Sequence, residues 1–139
     1  MIKELYRHSM DYADKNGARS HWMDSAALNQ ECARAIEAAI KDSNHALYRY
    51  DLLAASQKVV AEYGKERVFW VLATTLKNKD YDGRFSQDNH NWVKGFDLPS
   101  DKNLYYTVET HPAVLDGFIR TTRKVIAEQE PPKHKEPDR

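Results

Sequence analysis

The strictest constraint in this sequence is a helical period. Leu52, Leu53, Ser56, Val59, Val60 and Tyr63 recur at three- and four-residue intervals, which places them on one face of an α-helix. Asp51 stands before the run as a cap, and Gly64 closes it. An element of this kind must bury its apolar face, and the flanking sequence supplies partners in the same period. Upstream, Leu28, Cys32, Ala35, Ile36, Ala39 and Ile40 form a second stripe, opposed by Gln30, Glu31, Arg34, Glu37 and Lys41. That pattern predicts a helix beginning near His21 to Ser25. Before it, Ile2, Leu5, Tyr6, Met10 and Ala13 predict a helix over about residues 2–15, stopped at Asn16-Gly17.

Beyond Gly64, "ERVFWVLATTL" is apolar without a break from Val68 to Ala73. Such a run fits a buried strand or a helix enclosed by others. Helical neighbours and the short link at Gly64 decide for a helix, with Phe69, Trp70 and Leu72 at the centre of the core. Ser86 caps a further short helix carrying Trp92 and Val93. The alternation of Leu104, Tyr106 and Val108 against Tyr105 and Thr107 then reads as a strand, paired through the turn residues Pro99 to Asn103 with Phe96 to Leu98. Pro112 suits the first turn of a last helix, in which Leu115, Phe118, Ile119, Thr122 and Ile126 share a face. The expected fold is mainly α, a compact bundle of about five helices with one small β-hairpin before the C-terminal helix. Residues 1–129 are expected to form a single globular helical domain. Residues 130–139 carry three prolines and no apolar residue, so they read as a disordered charged tail.

Composition narrows the function. Lys plus Arg number 21 and Asp plus Glu 21, a formal net charge of zero with the signs interspersed; this argues against a nucleic-acid footprint and against an acidic imitation of DNA. No apolar run approaches the ~20 residues of a membrane helix, and the first residues lack the pattern of a secretory leader. No membrane partner and a cytoplasmic location are expected. Cys32 is the only cysteine, which excludes an internal disulfide and a cysteine cage for zinc. Its place on an apolar stripe makes it a core thiol.

Chemistry is suggested most strongly by "NKDYDGRFSQDN", residues 78–89. A calcium loop between two helices needs oxygen ligands at its first, third and fifth positions, glycine at the sixth and a bidentate glutamate at the twelfth. Asn78, Asp80, Asp82 and Gly83 fill the first four roles, and Asn78, Asp80 and Asp82 are the candidate metal residues. Asn89 stands at the twelfth place, where a neutral amide cannot chelate as a carboxylate does. A turn explains the same residues: Asp82-Gly83 as the turn dipeptide, Phe85 as an anchor and Ser86 as a cap. No cofactor is expected. His8, His21, His45 and His111 are scattered without metal-ligand spacing, His90 near Asp88 has no nucleophile in a strained elbow, and the five glycines stand too far apart to cradle a phosphate. Arg120, Arg123 and Lys124 are the candidate nucleic-acid contacts, although a solvated helix face explains them better. Eight tyrosines and three tryptophans are many for this length, and an exposed subset would anchor a protein partner.

The blocks "LYRHSMDYADKNG", "ECARAIEAAI", "ERVFWVLATTLKNKDYDGRFSQDNHNW" and "ETHPAVLDGF", in this order and spacing, resemble an uncharacterised family, a domain of unknown function found in gut Firmicutes and their mobile elements. The likeness spans about residues 5–120 and brings no catalytic residues with it. It implies a small accessory protein of a mobile element or phage. On that footing the expected function is non-enzymatic protein binding, with a host nuclease as the partner and an anti-CRISPR type of inhibition. The alternatives are a nucleic-acid-binding accessory protein of the element and a metal-binding protein acting through residues 78–89.

Overall fold

A computed structural model describes residues 4–46, 49–79, 82–99 and 106–129. Among them are six helices: α1 Met10–Lys15, α2 Arg19–Asp42, α3 Leu52–Tyr63, α4 Lys65–Asn78, α5 Gln87–Val93 and α6 Pro112–Gln129. One short antiparallel pair, β1 Asn44–Ala46 and β2 Arg49–Tyr50, joins α2 to α3. The protein is mainly α, as its periodicities require.

Local signals set most boundaries. The Asp51 carboxylate accepts from the Ala54 N–H and starts α3; Ser86 does the same for Asn89 and starts α5. Gly64, at φ 86°, both ends α3 and begins α4, a conformation that costs an L-residue with a side chain. α4 carries the enclosed run. Val68 and Trp70 through Leu76 are buried, because α2, α3 and α5 pack around it. α3 packs in turn between α2 and α6. The shared core holds Ile36 and Ile40 from α2, Val59 from α3, Leu72 and Leu76 from α4, and Leu115, Phe118 and Ile119 from α6. Each such side chain contributes about 1.5–3 kcal/mol when fully removed from water.

Three expectations are corrected. The first helix does not run over residues 2–15: among the described residues it begins at Met10, where Ser9 accepts from the Tyr12 N–H. Residues 4–9 instead form an arm across the bundle, with the Tyr6 N–H donated to Ser25 Oγ at 2.9 Å and Leu5 packed on the core. Phe69 is not central but half-buried, meeting Trp92 and Phe96 edge to face at 5.1 and 6.3 Å.

The third correction concerns the strand pair, which lies between α2 and α3 rather than before the last helix. Residues 106–109 are extended but have no strand partner among the described residues. Of the alternating residues, Tyr106 and Val108 are buried and Thr107 is half-buried, while Leu104 and Tyr105 lie outside the described residues. Side chains satisfy the backbone there in place of a sheet. The Val108 N–H donates to Thr75 Oγ1 at 3.0 Å, the Glu109 N–H donates to Glu37 Oε2 at 2.7 Å, and the Thr107 carbonyl accepts from Arg34. Residues 100–105, the expected turn and strand start, and the tail at 130–139 lie outside the described residues.

Candidate functional site

The cationic residues singled out in sequence converge. Arg120, Arg123 and Lys124 line a groove of about 610 Å³ together with Leu52, Asp88, Gly117 and Thr121. Three elements build it: α6 gives the cations, α5 gives Asp88, and the start of α3 gives Leu52. Gly117 sets how closely α3 and α6 approach, since a Cβ there would lie 3.2 Å from Leu52 Cδ1.

The cations play unequal parts. Arg123 is fixed: its Nη1 donates to Asp88 Oδ2 at 2.8 Å and to Asn89 Oδ1 at 2.9 Å, and its guanidinium lies 5.4 Å from the Trp92 ring centroid. It therefore ties α6 to α5. Arg120 and Lys124 are exposed and form no ion pair with any described residue. Like charges one helical turn apart repel, at a cost of about 0.2–0.5 kcal/mol per pair, and Asp116 and Glu128, one turn to either side on α6, offset that cost.

Residues 78–89 are arranged otherwise than a chelating loop. Asn78 is the last residue of α4, and its amide donates back to the Thr74 carbonyl at 3.0 Å. Both oxygens of Asp82 face Arg84: Oδ1 accepts from its Nε at 3.0 Å and its backbone N–H at 2.9 Å, and Oδ2 from Nη2 at 2.9 Å. The Arg84 guanidinium and backbone N–H hold the Asp82 carboxyl down at about 2. Asp80 lies outside the described residues. Asn89, at the twelfth place, is wholly buried and points at α6. His90 Nε2 lies 3.2 Å from the Asp82 carbonyl, not against Asp88. Among the described residues no three His, Cys, Asp or Glu side chains cluster as metal ligands do.

Sequence reasoning missed a polar network inside the bundle. Arg67 of α4 is buried and donates to the Ser25 carbonyl, to Ser25 Oγ and to Asn29 Oδ1. Ser25 and Asn29 extend the buried stripe of α2 by one turn toward its start, and that i, i+4 pair of small polar residues was the available signal. Cys32 is completely buried next along the stripe, and burial pushes its thiol up to about 12. A second groove of about 620 Å³ runs between the N-terminal arm and the α3–α4 junction, lined by Glu4, Arg7, Lys65 and Glu66 among others. Arg7, Lys65 and Arg67 there stand against Glu4 and Glu66, Arg7 and Glu66 approach to 4.0 Å, and Arg67 is turned into the buried network, so the two signs are mixed at its mouth.

A helical bundle with a basic groove along α6 is the class that fold and site define among the described residues. Residues 5–127 match the profile of the family described as protein of unknown function (DUF3849), and the chain belongs to that family. No curated protein and no solved structure matches it. Among the described residues no helix is long and apolar enough to cross a membrane.

Proposed function

We propose that this chain is a non-enzymatic accessory protein that acts by binding another protein. The finer role comes from the resemblance noted in the sequence: service to a mobile element or phage, by an anti-CRISPR type of inhibition of a host defence nuclease. One observation carries the choice of a protein over a nucleic acid. The chain has zero formal net charge, and in its basic groove Arg123 is already committed to Asp88, which leaves two exposed cations beside apolar Leu52. A nucleic-acid binder commonly neutralises about 6–10 phosphates. Two cations and an apolar floor suit a protein surface better, because apolar contact with a polar rim is how such interfaces are built.

The convergence of Arg120, Arg123 and Lys124 in one groove favours a second reading, a nucleic-acid-binding accessory protein of the element. A tagged chain recovered from a bacterial host lysate, with and without nuclease treatment, separates the two. One protein retained in constant proportion after nuclease treatment is the expected result. Release of all bound material by nuclease would overturn the first reading and establish the second.

A further inference from the structure

We infer that the α6 groove is the docking site for an acidic segment of the partner protein. Two carboxylates of that segment pair with Arg120 and Lys124, and an apolar side chain between them rests on Leu52 and Gly117. This deepens the protein-binding reading and rests on it.

Charge complementarity identifies the occupant. Arg123 and Asp88 neutralise each other at 2.8 Å. Asp116, one turn before Arg120, is also engaged: its Oδ1 accepts from the Ser86 N–H and the Asn89 amide, both at 2.7 Å. Those donors are neutral, so Asp116 keeps its charge at the foot of α6; among the lining residues themselves Arg120, Arg123 and Lys124 stand against Asp88 alone, and the exposed cations of that lining are Arg120 and Lys124. They sit at i and i+4 on α6, with side-chain roots about 5–6 Å apart, a separation that two carboxylates four residues apart on a helical segment, or two residues apart on an extended one, would match. Asp116 and Glu128 stand one turn to either side of the pair on α6 and offset its repulsion within the helix, while anions bound across Arg120 and Lys124 would add to that compensation.

The groove is also prepared in advance. Arg123, held by Asp88, Asn89 and the Trp92 ring, forms a wall that needs no ordering on association, and a fixed wall lowers the entropic cost of docking. Gly117 lets Leu52 lie close against α6, where a Cβ would meet Leu52 Cδ1 at 3.2 Å, so the two form a shallow apolar floor on which a side chain can rest.

The test uses fluorescence anisotropy on the full chain with three labelled probes. These are a dodecapeptide with two glutamates four residues apart around a leucine, its twin with both glutamates replaced by glutamine, and an oligothymidylate of the same length. The acidic peptide is expected to bind about tenfold or more tightly than its twin. The double variant Arg120→Glu, Lys124→Glu should lose at least that factor, while Lys41→Glu with Lys58→Glu, which changes net charge equally at exposed positions elsewhere, should not. Circular dichroism melting confirms that each variant folds. Equal binding of the two peptides, or indifference to the α6 reversal, overturns the inference; tighter binding of oligothymidylate overturns it in favour of nucleic acid. The two proposals fail separately. A lysate partner that survives nuclease and is retained equally by the α6 double variant leaves protein binding intact and removes this groove as its site.

Discussion

The side-chain amide of Asn89 donates to both the carboxylate and the backbone carbonyl of Asp116, at 2.7 and 3.2 Å, inside the seam between α5 and α6. Its oxygen accepts from Arg123 at 2.9 Å. One neutral amide thus serves an acceptor and a cation at once, which a carboxylate or an aliphatic side chain cannot do. Asn89→Ala removes three hydrogen bonds from the seam, while Asp116 keeps the Ser86 N–H and Arg123 keeps Asp88, and should cost about 1–3 kcal/mol. Denaturant unfolding measures it, and a loss below about 0.5 kcal/mol would show that the seam does not depend on the amide.

Trp70 should be among the costliest single truncations. It is 3% exposed, its Nε1–H donates to the Tyr106 hydroxyl at 3.2 Å, and Arg7 lies 5.6 Å from the ring centroid. Removing the indole leaves a cavity and strips one anchor of the extended segment at 106–109. Trp70→Ala is expected to lose about 3–5 kcal/mol. A melting temperature within a few degrees of the parent would contradict this placement.

Helices were legible where a single period and a cap coincided. α3 and α6 follow the start signals at Asp51 and Pro112 and their stripes, except that Leu53 of the α3 stripe is exposed, and the enclosed α4 follows from its context. The first and the extended segments were less legible, because their backbone groups are satisfied from far along the chain. Nothing near Tyr6 announces Ser25, and nothing near Val108 announces Thr75. The groove follows the same rule. Arg120, Arg123 and Lys124 were visible as a cluster, but which of them is committed depends on Asp88, Asn89 and Trp92, more than twenty residues away in sequence.

Asp82 supplies a pH signature. Hydrogen bonds from the Arg84 guanidinium and then from its backbone N–H lower the carboxyl from 3.8 to about 2 in the folded state. A group with a depressed folded value stabilises the protein fully above its unfolded value, and that contribution is lost as the pH falls toward the folded one. The melting-temperature advantage of the parent over Asp82→Asn should therefore be constant above about pH 5 and shrink between about pH 4 and 2. An advantage independent of pH over that range would show that the Arg84 contact does not act on the ionised carboxylate.

Cys32 should be silent in the native protein. It is fully buried, and burial, partly opposed by the Arg67 charge, raises its thiol to about 12. At pH 8 about one molecule in ten thousand would carry the thiolate, even with access. Ellman's reagent should react only after denaturant is added, at a rate set by opening of the bundle. Reaction of the native protein within seconds would place the thiol at the surface.

The stretch at residues 78–89 sets charge against geometry. Calcium that bound the native state would raise its stability by an amount fixed by occupancy, about 1 kcal/mol at several-fold saturation. The two Asp82 oxygens face Arg84, and Asn78 turns its amide to Thr74, so millimolar calcium is expected to leave the melting temperature unchanged. Asn89→Glu is the sharper trial, because it restores the bidentate ligand that a calcium loop requires at its twelfth position. In this fold that side chain is wholly buried between Asp116 and Arg123, so the new carboxylate would keep the Arg123 contact but set an oxygen against the Asp116 carboxylate in place of the amide donor. The variant should melt lower than the parent, and calcium should not restore it. Recovery of the lost stability by calcium, with no effect of magnesium, would show that the segment can close around a metal and would reverse the assignment of these residues to a turn and a helix seam.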